Sequence, residues 1–215
     1  MAEYRLHCFA QSGNAYKVAL MLAMAKADWE PVWVDFFNGG TRTPDFLALN
    51  EMGEVPVLEH DRMGGQVVSQ SGVILDYLAL SLGAFDPGAE NAREAMRWII
   101  WDNQRLSGML GTWRFLTRFL PEEKRDPGVI AFCEGRARRA LGVFDAHMAG
   151  RDWVACDWLS TADFSCAGYL FYEDEYPVDW AEYPNLSAWR ARLKAEPGWA
   201  HPYELMPGHP LPGAG

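Results

Sequence analysis

Apolar and polar positions alternate over Tyr4-Arg5-Leu6-His7-Cys8-Phe9, the period of a half-buried strand. The period then changes. Val18, Ala19, Leu20, Met21 and Leu22 are apolar nearly all round, which predicts a mostly buried helix, capped by Ser12 or Asn14 and running to about Ala25. A second strand is predicted from Trp29 to Phe36, with Val32 and Val34 on one face and Trp33 and Asp35 on the other. A strand–helix–strand run of this length implies a parallel pair with a right-handed crossover. Thr43, Pro44 and Asp45 supply an N-cap, a first-turn proline and a first-turn acid for a short helix ending near Asn50. Val57 to His60 and Gln66 to Val68 flank the turn Asp61-Arg62-Met63-Gly64-Gly65 and predict an antiparallel hairpin. A helix follows from Ser71, carrying Val73, Ile74, Tyr77 and Leu78, and stops at Gly83.

The order β-α-β-α-β-β-α is the thioredoxin-like arrangement, and no strand period follows it. Residues 81–90, with Gly83, Pro87 and Gly88, read as a linker. Met96, Ile99, Asn103, Leu106, Leu110 and Trp113 then recur at three and four, predicting one long amphipathic helix. Ile130, Cys133, Ala137, Leu141, Phe144 and Met148 predict a second, with Arg136, Arg138 and Arg139 beside the stripe. Ser160-Thr161-Ala162-Asp163 has capping-box spacing with Asp in place of Glu and opens a third helix to about Tyr172; Asn185 to Ala195 is a fourth. The tail from Glu196, with prolines and glycines from Pro197 to Pro212 and Gly213, is expected to be extended and irregular. The fold class expected is therefore α/β plus all-α: a thioredoxin-like domain over residues 1–80, the linker, and an all-helical domain over 91–215.

Charge and cysteine usage narrow the partners. The chain has 215 residues, 49% hydrophobic and 22% charged, with a formal net charge of −10. Nucleic acid or an anionic membrane would need a basic surface, so neither is expected. No run of about 18 apolar residues suits a membrane span. The start, Met1 to His7, has no apolar leader core, and the four cysteines, Cys8, Cys133, Cys156 and Cys166, have no CxxC spacing. The five histidines are scattered and suggest no metal site; a reducing cytoplasm and no bridges are expected.

Two segments carry the candidate chemistry. Gly53-Glu54-Val55-Pro56-Val57-Leu58 reads as a strand entered through Val-Pro, where the proline lacks an N–H for the ladder. Ser69-Gln70-Ser71-Gly72-Val73 offers hydroxyls and free N–H groups at a helix start, suited to a small carboxylate. Together with Ser12-Gly13-Asn14-Ala15-Tyr16-Lys17-Val18, in this order and over nearly the whole chain, they resemble the glutathione transferase superfamily, in its serine-type branch (bacterial, zeta- or theta-like). The resemblance implies a cis Val55–Pro56 bond that pairs with the peptide backbone of glutathione, and a Gln70-Ser71 pair that holds the γ-glutamyl end. It also implies that Ser12 in the first loop donates a hydrogen bond to the sulfur, favouring thiolate over thiol. On spacing alone Ser12 reads first as a helix cap, and the resemblance reverses that order; Val55-Pro56 also reads as an edge-strand proline, and Gln70 and Ser71 as a cap. Asn14 is the other candidate donor, and Tyr16 a weaker one. Cys8 falls inside the strand, where a buried inert thiol is expected, and this disfavours thiol-transferase chemistry.

Three departures from the family pattern stand out. Glu54 replaces a base beside an anionic tripeptide, so the glycyl carboxylate would fall to Arg42 or Lys17. Gln70 stands where an acid is common, and Asp102 of a partner subunit is a candidate for the missing counter-charge. The first loop lacks the Ser-Ser-Cys of the isomerase branch. The resemblance implies a homodimeric detoxification enzyme with glutathione as co-substrate. It would present the thiolate to a small hydrophobic electrophile in a cleft between the domains, with Trp101, Arg105 and Trp113 as candidates to face Ala10 and Gln11, and core packing the equal alternative for each tryptophan. A non-catalytic glutathione-binding module and a glutathione-dependent isomerase or dehalogenase are the other classes on this fold. Asp163 is expected to be a structural cap.

Overall fold

The structure, a computed structural model, describes residues 2–210 and divides into two compact units. The first contains residues 2–86 and 197–210, the second residues 87–196. Pro212 and Gly213 of the tail lie outside the described residues.

The first unit is a four-stranded mixed sheet with order β2-β1-β3-β4, formed by β1 (Tyr4–Cys8), β2 (Trp29–Trp33), β3 (Val57–His60) and β4 (Gln66–Ser69). β1 is parallel to β2 and antiparallel to β3, and β3 is antiparallel to β4, as the sequence order implies. Register is held across the β1–β3 ladder by Arg5, which donates to Glu59 directly opposite at 2.6 Å. The helices are α1 (Gly13–Met24), α2 (Pro44–Leu49) and α3 (Ser71–Leu82). α1 is buried almost all round, as its unbroken apolar run predicts, and even Lys17 is fully buried. β2 is shorter than the alternation suggests: it ends at Trp33, and residues 36–38 turn as a 3-10 segment. Gly40 explains the turn, because its N–H donates to Asp35 C=O at 2.7 Å and a Cβ there would lie 2.8 Å from that oxygen.

The tail is not merely extended. It forms α9 (Pro202–Leu205) and lies on the first unit, where the Tyr16 hydroxyl donates to Ala200 C=O at 2.9 Å. The Ala10 N–H donates to Pro207 C=O at 2.7 Å, and Gln11 Nε2 donates to Gly208 C=O at 2.7 Å.

The second unit is helical: α4 (Gly88–Trp101), α5 (Ser107–Arg114), α6 (Pro127–Met148), α7 (Thr161–Ala167) and α8 (Pro184–Ala195). The single long helix expected around Met96 to Trp113 is interrupted. Residues 102–106 and 115–119 are π-helical turns, in the first of which Ser107 N–H donates to Asp102 C=O. Asp102 itself is completely buried and accepts from Ser107 N–H, Ser107 Oγ and Ser165 Oγ. That burial removes it as a counter-charge for a ligand on another subunit. α7 is shorter than expected, ending at Ala167 rather than near Tyr172.

Asp163 is the structural cap the spacing implies. It closes a capping box with Ser160 and also accepts from Val154 N–H at 2.9 Å and Trp189 Nε1 at 3.0 Å. Burial pushes its carboxyl up to about 6, and the four donors pull the other way. The donors have no water to turn to if the oxygens are removed. Asp163→Ala is expected to lower unfolding free energy by about 3 kcal/mol, from the lost cap and the stranded N–H groups. Urea unfolding checks this, with Asp163→Asn falling between the two because it keeps one acceptor.

Candidate functional site

The register of the sheet decides what can meet. His7 lies opposite Val57, and Val57 lies opposite Ser69. The chain leaving β1 toward Ser12, the chain entering β3 through Val55 and Pro56, and the chain leaving β4 toward Gln70 and Ser71 therefore emerge at one end of the sheet. The N-termini of α1 and α3 begin there too. A helix N-terminus carries a partial positive charge and first-turn N–H groups without intrahelical partners. An anion is the ligand this end favours.

Ser12 is the N-cap of α1, with its Oγ accepting from Ala15 N–H at 3.2 Å. Capping uses the oxygen's lone pair and leaves the hydroxyl proton as a donor, so the cap and donor readings are compatible. Asn14 follows in the first turn, and its Oδ1 is buried with no hydrogen-bond partner. Tyr16 is withdrawn from thiol chemistry: it is fully buried, holds the tail through Ala200, and burial raises its phenol well above the ordinary range. Cys8 is equally withdrawn, completely buried with its thiol pushed up to about 12 by desolvation.

The Val55–Pro56 bond is cis. The β1–β3 ladder closes at Val57, so the main chain of Val55 lies beyond its end. The Val55 side chain packs on Val34, Phe46 and Val57, which anchors the loop from below. Asn50 ties the loop from behind, its amide donating to Glu54 C=O at 2.8 Å. The exposed Arg42 guanidinium lies over Gly53, where a Cβ would come within 2.6 Å of it. Gly53 also has φ +63, and this conformation, rather than the flexible arginine tip above it, is what calls for glycine.

Gln70 does not cap α3 with its side chain. Its Nε2 donates to Glu54 Oε2 at 3.1 Å, which joins two of the predicted site residues directly. Ser71 is buried as the first residue of α3. Lys17 is enclosed in the core and cannot serve a surface carboxylate, which leaves Arg42 as the base beside this loop. Trp113 is a core residue packed on Tyr176, while Trp101 and Arg105 border a half-open groove on the surface of the helical unit.

Two features escaped the sequence reading. Phe9, Phe36 and Phe37 form an aromatic group, with Phe9 stacked on Phe36 at 4.7 Å and Phe37 edge-on to both. The Phe-Phe pair was the available signal, but it fell in a stretch assigned to β2 and the loop after it. The second is the tail on Ala10 and Gln11, for which the proline and glycine spacing gave no indication.

The comparisons with known proteins bear on the same residues. A family model described as the glutathione S-transferase N-terminal domain matches residues 3–80, and one described as the C-terminal domain matches residues 113–197. The glutathione S-transferase GstB of Escherichia coli (strain K12) is 30% identical over 191 residues, 86% of this chain and 90% of its own. The disulfide-bond oxidoreductase YfcG of the same strain is 28% identical over 194 residues, 88% of this chain and 89% of its own. Among solved structures, a glutathione S-transferase from Xanthobacter autotrophicus Py2 matches with a TM-score of 0.84 at 29% identity, covering 95% of this chain and 97% of that one. A glutathione transferase from Burkholderia graminis, with two glutathione molecules bound per subunit, matches with a TM-score of 0.82 at 28% identity, covering 92% of this chain and 85% of that one.

Gln70 carries a testable strain. Its φ of +70 with ψ of 115 is a conformation that a side chain with a Cβ rarely adopts. Gln70→Gly relieves the backbone and Gln70→Ala does not, while both lose the bond to Glu54. Thermal unfolding is expected to place the glycine variant above the alanine variant by about 1 kcal/mol.

Proposed function

The chain belongs to the glutathione transferase superfamily, and on that premise we propose that it ionises the thiol of glutathione and presents the thiolate to a small hydrophobic electrophile. The observation that carries the reading is Ser12: a buried hydroxyl at a helix N-terminus, its oxygen already used as a cap and its proton left to donate. A hydrogen bond to the charged sulfur lowers the thiol pKa, and the α1 terminus acts in the same direction. Asn14, one residue inside the helix, is the alternative donor.

The rest of the site supports one orientation of the tripeptide. The Val55 main chain pairs with the cysteinyl backbone. Ser71 and the N-terminus of α3 hold the γ-glutamyl carboxylate. Glu54, drawn to Gln70, supplies the negative charge for the ligand ammonium that Gln70 alone lacks. Arg42 answers the glycyl carboxylate from above Gly53. In this reading Glu54 is an asset rather than a misplaced acid.

The thiol proton leaves to solvent, the sulfur forms a bond to the electrophilic carbon, and the leaving group departs with the bonding pair. No covalent bond to the protein forms, so catalysis is thiol activation and proximity. Detoxification of electrophiles and a homodimeric state belong to the same proposal. A second reading follows from the likeness to YfcG. The same thiolate could attack a disulfide, giving a mixed disulfide with glutathione and releasing a thiolate. No protein thiol is needed for that step, which agrees with the enclosure of Cys8.

The test is the ultraviolet titration of bound glutathione in wild type, Ser12→Ala and Asn14→Ala. Wild type is expected to ionise the thiol well below its free value of about 8.5, a shift that Ser12→Ala abolishes. Turnover of an aryl halide should fall about a hundredfold in the same variant. A shift lost only in Asn14→Ala would move the donor there, and no saturable binding would refute the enzyme reading. Faster turnover of a disulfide than of the aryl halide would favour the second reaction.

A further inference from the structure

The tail runs the length of α1 and ends on the loop that carries Ser12. At Gly198 it crosses the C-terminal end of the helix, where an added Cβ would lie 3.1 Å from Met24 Cα. At Ala200 its carbonyl accepts from the Tyr16 hydroxyl, one turn into the helix from Ser12. At Pro207 and Gly208 it reaches the turn in front of the helix.

Residues 9–12 form that turn, closed by the Ser12 N–H donating to Phe9 C=O at 3.0 Å. Its two central residues are Ala10 and Gln11, and both are tied to the tail. Ala10 is completely buried, so its N–H needs an acceptor inside the protein, and Pro207 C=O is that acceptor. Gln11 is buried as well, and its amide donates to Gly208 C=O. The two ladders of β1 end at Cys8 and His7, so neither reaches this turn. Gly208 is itself fixed: its φ is +96, and a Cβ there would come 3.0 Å from Trp33 Nε1. With Ala10 and Gln11 held before it and Tyr16 after it, Ser12 is gripped on both sides by one segment.

We propose that Gln11 is a positioning residue for thiol activation: its bond to Gly208 sets the Ser12 hydroxyl at the distance and angle that a bound sulfur requires. The inference rests on Ser12 being the donor to that sulfur. Each central residue of a turn has two soft dihedral angles. Anchoring the main chain of one and the side chain of the other removes the rocking that would swing Ser12. A misplacement of about 1 Å is enough to cost a hundredfold in rate.

Ultraviolet titration of bound glutathione tests this in the full chain, with Gln11→Met, Gly208→Ala and the double variant beside Ser12→Ala. Gln11→Met keeps the length of the side chain and removes the donor, whereas Gly208→Ala displaces the acceptor and leaves the sequence of the turn intact. Each is expected to return the bound thiol part of the way to its free pKa. Each should also lower kcat with an aryl halide about tenfold while glutathione affinity changes less than about twofold. The acid limb of the pH–rate profile should move to higher pH, because a weaker hydrogen bond favours the thiolate less. The double variant should match the larger single effect, since both changes cut one bond. Asp163→Asn, which weakens the helical unit instead, should leave the thiol titration at its wild-type position. Circular dichroism verifies folding, and Gly208→Ala carries the test if Gln11→Met does not fold. Wild-type titration in the folded variants, additive effects in the double variant, an equal shift in Asp163→Asn, or loss of glutathione affinity in step with kcat would each overturn the proposal. A thiol unmoved by Ser12→Ala would overturn it together with the reading it rests on, and a thiol moved by Ser12→Ala alone would overturn this proposal only.

Discussion

The site depends on one alignment: His7 against Val57 and Val57 against Ser69. Side chains alternate across a strand, so a slip of one residue in either ladder would turn every buried position of β3 outward. It would also carry the Val55 main chain away from the loop after β1. The bond from Arg5 to Glu59 and the burial of Leu6, Val57 and Leu58 resist that slip. Three separate segments reach one edge because the hydrophobic layer beneath them has a single way to pack.

An acidic chain that favours an anion needs positive potential from sources other than side chains. At this edge the sources are main-chain groups, the N-termini of α1 and α3. Arg42 is the exposed base seated on the loop, and Glu54 beside it is occupied with the Gln70 amide. Fixed dipoles need no reorganisation when charge develops on a bound sulfur, whereas mobile lysines would.

Local chemistry made much of this legible in the sequence. Thr43-Pro44-Asp45, Ser12 and Ser160 to Asp163 announce helix starts because caps are satisfied within three residues. The hairpin around Gly64 and Gly65 and the burial of α1 follow from equally short-range patterns. What stayed hidden involves partners far along the chain or a changed helical phase. A stripe at three and four is nearly the same for an α-helix and for one with a π-turn, so residues 102–106 gave no signal. Asp102 looked available because nothing near it announces Ser165, sixty-three residues away. The contact of Glu54 with Gln70 likewise appears only when β3 and β4 are folded side by side. Gln70 was recognised from the resemblance, and its positive φ had no sequence mark, because that conformation is usually left to glycine.

The hold of the tail on the first loop has a consequence for biosynthesis. Gln11 reaches its acceptor on Gly208 across 197 positions of chain, and Ala10 relies on Pro207. The residues that brace this loop therefore leave the ribosome nearly two hundred positions after it. A nascent chain can complete its sheet and the Val-Pro loop while the segment carrying Ser12 still lacks these two anchors. A chain that stops short of Pro207 would therefore keep the sheet and lack two anchors of the loop that precedes α1.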